Sequence, residues 1–135
     1  MEAVGFTVHH QEGHYDYSSG QTIRFSDIQS NFGGYFNTDT FSFVCPYRGI
    51  YFFTVSFNAY ESYDMHIEIV KGNVKLAYAM AEQINVYAHS SAFVVTLCEE
   101  GEIVKTQAGG GTTDVIHNGR YRANQFSGYL LHRYY

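Results

Sequence analysis

Apolar and polar residues alternate along most of this chain. From Tyr51 to Ala59 one set of positions reads Tyr51, Phe53, Val55, Phe57 and Ala59, while the other begins Ile50, Phe52 and turns polar at Thr54, Ser56 and Asn58. A period of two marks a pleated strand, because successive side chains point to opposite faces. Short runs of this kind, rich in Val, Ile, Tyr, Phe and Thr and separated by Gly, Asn, Asp and Ser, predict strands near 4–9, 22–25, 34–37, 41–45, 49–59, 65–70, 74–80, 89–98, 102–107 and 125–132. No segment carries a helical stripe, so the expected class is all-β, a sandwich or barrel. Lys71-Gly72-Asn73 and Glu99-Glu100-Gly101-Glu102 read as tight hairpin turns, since Gly and Asn tolerate positive φ. The stretch 109–124 reads as a long loop. Its opening Gly109-Gly110-Gly111 lacks the Gly-Lys-Ser/Thr ending of a phosphate-binding loop and leads into no helix.

Two strands are apolar on both faces. Beside 49–59, the run Phe93, Val95, Leu97 has Val94 on its opposite face. A two-layer sandwich buries only one face of each sheet, so a second apolar face calls for a second cover. With no helix to supply it, the expected cover is another subunit.

Composition narrows the class further. At 135 residues the chain has the size of one domain spanning 1–135. Thirteen acidic against eight basic residues, a net charge of −5, leave no basic stripe for phosphates and exclude nucleic acid as a partner. No run of about eighteen apolar residues is present to span a membrane. The N-terminus shows no secretory leader, and Met1 and Glu2 read as an expression scar before a domain that begins near Ala3. Cys45 and Cys98 fit no zinc spacing and lack the setting of an activated nucleophile; they read as two buried thiols or as one structural disulfide.

Phe25, Asn31, Phe36, Phe43, Gly49, Tyr51 and Phe53 follow one another with five, four, six, five, one and one residues between them. This spacing resembles the aromatic signature of the complement C1q globular domain family, with Val55 standing where the signature ends in another aromatic. Val4-Gly5-Phe6 resembles the family's opening strand, Leu97 to Val104 its penultimate hairpin, and Phe126-Ser127-Gly128-Tyr129-Leu130-Leu131 its closing strand. The resemblance implies a ten-stranded jelly roll of the C1q/tumour necrosis factor type, a homotrimer, with Phe25, Phe36, Phe43, Gly49, Tyr51, Phe53, Phe126, Gly128 and Leu130 in its core or trimer axis. It also implies a secreted, extracellular recognition head. Many relatives carry a collagen stalk, but no Gly-X-Y repeat occurs here.

Alternating strand direction places the segments 60–64, 81–89 and 109–124 at one end and the turns 71–73 and 99–101 at the other. The first group is the chemically richer one. Tyr60, Glu61, Tyr63 and Asp64 set two rings beside two carboxylates, and His117, Asn118, Arg120, Tyr121 and Arg122 add two guanidinium forks. Forks pair with carboxylates and rings stack on sugar faces, so acidic sugars or microbial polysaccharide are the favoured ligands. Relatives bind calcium in the loop corresponding to 79–90. Here Ala79 and Tyr87 stand where some have aspartate, which leaves Glu82 and Gln83 as oxygen donors and puts calcium in doubt, while His89 would suit a softer metal. His9, His10 and His14 form a dense histidine cluster, but adjacent His9 and His10 on a strand point to opposite faces, and a solvated edge is the expectation there.

No Ser, His and Asp occupy a recognisable nucleophile turn, and a pair such as Glu61 with Asp64 needs a shaped cleft to act on glycosides, so the chain reads as a binder and not an enzyme. Two binding classes remain: a lectin-like head of innate immunity, and an extracellular structural or signalling head that binds a protein partner.

Overall fold

The structure is a computed structural model that describes residues 2–11, 13–59, 64–81, 88–109, 114–118 and 124–135. Among these, no helix occurs and twelve strands do: β1 (Gly5–His10), β2 (Gly13–Tyr17), β3 (Phe25–Phe32), β4 (Phe36–Asn37), β5 (Ser42–Val44), β6 (Gly49–Ala59), β7 (Met65–Lys71), β8 (Val74–Ala81), β9 (Ala88–Cys98), β10 (Ile103–Ala108), β11 (Asp114–Asn118) and β12 (Gln125–Arg133). They pair antiparallel in two sheets. One runs β2-β11-β6-β12-β1-β3, with β9 also on β6; the other runs β4-β5-β10-β7-β8. The all-β sandwich expected from the period-two pattern is therefore present.

Three details correct the sequence reading. Gly13–Tyr17 and Asp114–Asn118 are strands that pair with each other, and Ile116 also pairs with Ala59. The first was too short to register, and the second lies inside the stretch read as a loop. The strand expected at 22–25 instead begins at Phe25 and runs to Phe32. Residues 22–24 cross between the sheets: Thr22 bridges Gln107, and the Ile23 N–H donates to the Thr106 carbonyl at 3.0 Å. Finally, β1 lies between β12 and β3, so His9 and His10 are buried and do not form a solvated edge.

The core sits between the inner faces of the sheets. Tyr51, Phe53, Val55 and Phe57 of β6 are fully buried, facing Phe43, Ile67, Ile69 and Val104 across the sandwich within one apolar cluster. Phe6 gathers the aromatic residues, with ring centroids 4.9 Å from Phe36, 5.0 Å from Phe43 and 4.9 Å from Phe126. Gly128 lies opposite both Phe6 and Phe53 in register. A Cβ there would stand 2.5 Å from one Phe53 ring atom and 2.9 Å from the Phe6 ring, so glycine is needed for close approach. Asn31 closes the turn after β3: its amide donates to the Phe36 carbonyl at 3.0 Å and its oxygen accepts the Phe36 N–H at 3.1 Å.

Cys45 and Cys98 are free and buried, the first of the two expected readings. A hydrogen bond shared with Cys98, with burial behind it, pushes the Cys45 thiol well up.

Candidate functional site

Because β6 and β9 pair with Phe53 opposite Val94 and Phe52 opposite Val95, the two faces of this sheet can be assigned residue by residue. Phe53, Val55 and Ala92 point into the core. Phe93, Val95 and Leu97 point out and are 71%, 57% and 38% exposed. Beside them on the outer face stand Phe52, its ring 6.2 Å from Phe93 and 5.5 Å from Tyr129, and the exposed Phe32 and Tyr129. Leu130, expected in the core or axis, packs half-buried against the core. This is the double-sided apolar pattern in three dimensions: one face is satisfied inside the protomer, and the other lies open to water.

The registers also place the ends. His9 pairs with Gln125, Ala59 with Ala88, and Met65 with Ala81. The ends of β1, β6 and β8 and the starts of β7, β9 and β12 therefore gather at one end of the sandwich. Of the residues expected to bind there, Tyr60, Glu61, Tyr63, Glu82, Gln83, Arg120, Tyr121 and Arg122 lie outside the described residues. Asp64 is exposed just before β7. His117 and Asn118 sit on β11, where His117 pairs with His14 in register, and not on a loop. His89 opens β9 and its Nδ1 lies 2.7 Å from the Asn58 Oδ1. Ala79 is buried in the core cluster and offers no oxygen to a cation, and among the described residues no three His, Cys, Asp or Glu side chains gather to hold a metal.

At this same end the fold assembles a group that the sequence reading did not join. His10 closes β1, Tyr15 and Tyr17 alternate on β2, and Arg24 and Ser26 flank the start of β3. The His10 Nδ1–H donates to the Gln11 carbonyl at 2.9 Å, and its Nε2 accepts the Tyr17 hydroxyl at 2.5 Å. The Tyr17 oxygen in turn accepts the Arg24 N–H at 3.2 Å. Burial holds the His10 pKa below its ordinary value against the pull of the Gln11 carbonyl, and the Arg24 charge lowers it further. The imidazole is thus neutral, with both nitrogens engaged. Burial likewise raises the Tyr17 phenol. The Arg24 guanidinium lies 5.6 Å from the Tyr15 ring centroid and 5.4 Å from that of Tyr17. A cavity of about 300 Å³ opens here, lined by His10, Gln11, Tyr15, Arg24, Ser26 and Phe41. Asn124 ties the ends of β1 and β6 together, accepting the His10 N–H at its carbonyl at 3.1 Å and the Asn58 N–H at its side chain at 2.6 Å. The signal available beforehand was the histidine cluster next to a Tyr-x-Tyr pair; the unrecognised strand β2 hid the connection.

A model of the C1q domain family matches residues 5–131. Complement C1q tumor necrosis factor-related protein 3 of Homo sapiens and that of Mus musculus are each 30% identical over 115 residues, covering 81% of this chain and 44% of theirs. The chain thus spans less than half the length of these relatives. Among solved structures, the globular domain of zebrafish complement 1qA protein superposes with a TM-score of 0.80 at 19% identity, over 98% of this chain and 100% of that one. Eiger TNF from S. frugiperda gives 0.79 at 8% identity over 100% and 96% of the two chains, and murine APRIL 0.74 at 10% over 96% and 100%. At such identities these structures attest the shared fold.

Proposed function

Since the chain belongs to the C1q domain family, we propose that it is a single secreted, non-catalytic recognition head that forms a homotrimer and binds carbohydrate or other microbial surface ligands at its loop-bearing end. The observation that carries this reading is the open apolar face of β6, β9 and β12, on which Phe93 of β9 is 71% exposed. Contiguous apolar surface of this kind is unusual on a monomer and suits a second and third copy of the same chain. With that face covered, the end that carries 60–64, 81–89 and 109–124 is the chemically varied surface left for a ligand. Among the described residues no helix is long and apolar enough to cross a membrane.

The test is a glycan array probed with the wild-type chain and with Arg120→Ala and Arg122→Ala, with and without calcium. Binding to acidic glycans that either substitution removes supports the reading, and no glycan binding at any calcium level sinks it. A pull-down from extracellular fluid that returns one stoichiometric protein, without competition by sugars, would replace it by the protein-partner alternative.

A further inference from the structure

We infer that the cavity between β1, β2 and the start of β3 is a binding subsite for one carboxylate-bearing sugar unit, with Arg24 as its anion anchor and Tyr15 and Phe41 as its aromatic walls. The inference builds on the recognition reading and deepens it by placing a ligand class on residues that reading did not use.

Charge comes first. Among the described residues Arg24 forms no ion pair with a carboxylate. Its guanidinium lies over the rings of Tyr15 and Tyr17, within cation–π reach of both, and shares a side-chain hydrogen bond with the Tyr17 hydroxyl. A guanidinium has five N–H donors, so those that Tyr17 does not engage can pair with a carboxylate. His10, neutral and engaged at both nitrogens, adds no second positive charge. Among the described lining residues Arg24 is the one cation, which suits a single carboxylate, whereas a phosphate or a sulfate cluster calls for several.

The remaining lining fits the body of a sugar. Ser26 and Gln11 bring a hydroxyl and an amide, and Tyr15 and Phe41 bring rings, to a space of about 300 Å³. That volume lies at the low end of small-molecule sites and holds one pyranose, not a chain of them.

Backbone strain is the independent sign. Phe41 has φ of 56°, the only positive φ found on a non-glycine residue among those described. A bulky side chain in the left-handed region costs on the order of 1–3 kcal/mol and persists where the surroundings over-determine it, commonly at binding sites. Here the strained residue lines the cavity.

The experiment is amide chemical-shift titration of the ¹⁵N-labelled chain with glucuronic acid, glucose and acetate. Saturable shifts at Gln11, Tyr15, Arg24 and Ser26 with glucuronic acid are expected, with glucose and acetate each at least tenfold weaker. Arg24→Ala should weaken glucuronic acid tenfold or more, Arg24→Lys should fall between, and Arg48→Ala, at the opposite end of the sandwich, should leave it unchanged. Equal affinity for glucuronic acid and glucose, equal affinity for acetate, or retention in Arg24→Ala overturns the assignment. The glycan array separates the two levels. Array binding that survives Arg24→Ala removes the subsite and leaves the recognition reading standing, whereas glucuronic acid in the cavity with a blank array keeps the subsite and removes that reading.

Discussion

Phe93→Asp should leave the protomer folded and abolish its self-association. The Phe93 side chain points away from the core, and its neighbours Thr54 and Phe52 lie on the same outer face. A phenylalanine buries on the order of 200 Å² when covered. At 71% exposure, roughly 140 Å² of that remains for a partner to cover. At about 25 cal/mol per Å² this is worth about 3.5 kcal/mol for each protomer, or a few hundredfold in association per contact before any charge effect. An aspartate in the same place adds the cost of desolvating an unpaired carboxylate. Sedimentation velocity at micromolar concentrations should show a trimer for the wild type and a monomer for Phe93→Asp, with superimposable far-ultraviolet circular dichroism. Phe53→Asp, by contrast, puts its charge into a fully buried position and should prevent folding. A wild-type chain that is monomeric at these concentrations, or a Phe93→Asp chain that assembles as tightly as wild type, refutes the assignment of this face.

Other substitutions probe the interior. Gly128→Ala should lower stability by about 1–3 kcal/mol in urea unfolding, because the added methyl meets the Phe53 and Phe6 rings in a packed core; an unchanged midpoint would contradict that contact. Phe53→Ala should cost about 3–5 kcal/mol by the same measurement, the cavity left by a fully buried ring. The His10 pKa is depressed in the folded chain, so below the unfolded value of about 6.5 the unfolded state binds the extra proton. Stability should therefore be complete above about pH 6.5 and fall as pH drops through the folded His10 pKa. His10→Gln should flatten the slope of the unfolding midpoint between about pH 7 and about pH 5.5, and an unaltered slope would assign the dependence elsewhere. At mildly alkaline pH neither Cys45 nor Cys98 should react with a thiol reagent until the chain is unfolded, because both are buried, and this inaccessibility outweighs the hydrogen bond from Cys45 that lowers the Cys98 thiol; rapid labelling of the native chain would be inconsistent with the packing.

The strands of the core were legible wherever period two ran long enough. β6, β7, β9 and β12 are each seven residues or longer and carry apolar residues at alternate positions over part of that length, and their inner faces contribute to the observed core. Asn31 was legible as part of a spacing pattern and Gly128 as part of a segment resembling a closing strand, and the structure supplies their causes, a side chain that closes a turn and a ring–backbone approach. β2 and β11 were not legible. Each has five residues, and each gains its stability from pairing with the other across about a hundred positions of chain, which no local window samples.

Alternation along the chain determined by itself that this is an all-β protein with one strand set apolar on both faces, because the period of a pleated backbone is written into every consecutive pair of residues. Which of β9's two faces would meet water was decided by register: pairing Phe53 with Val94 turned Phe93, Val95 and Leu97 outward, and a shift of one residue would have reversed them. The gathering of His10, Tyr15, Arg24, Ser26 and Phe41 around one cavity is likewise a property of the tertiary fold alone. These residues come from separate segments, and only the crossing of residues 22–24 between the sheets brings Arg24 against the rings of β2.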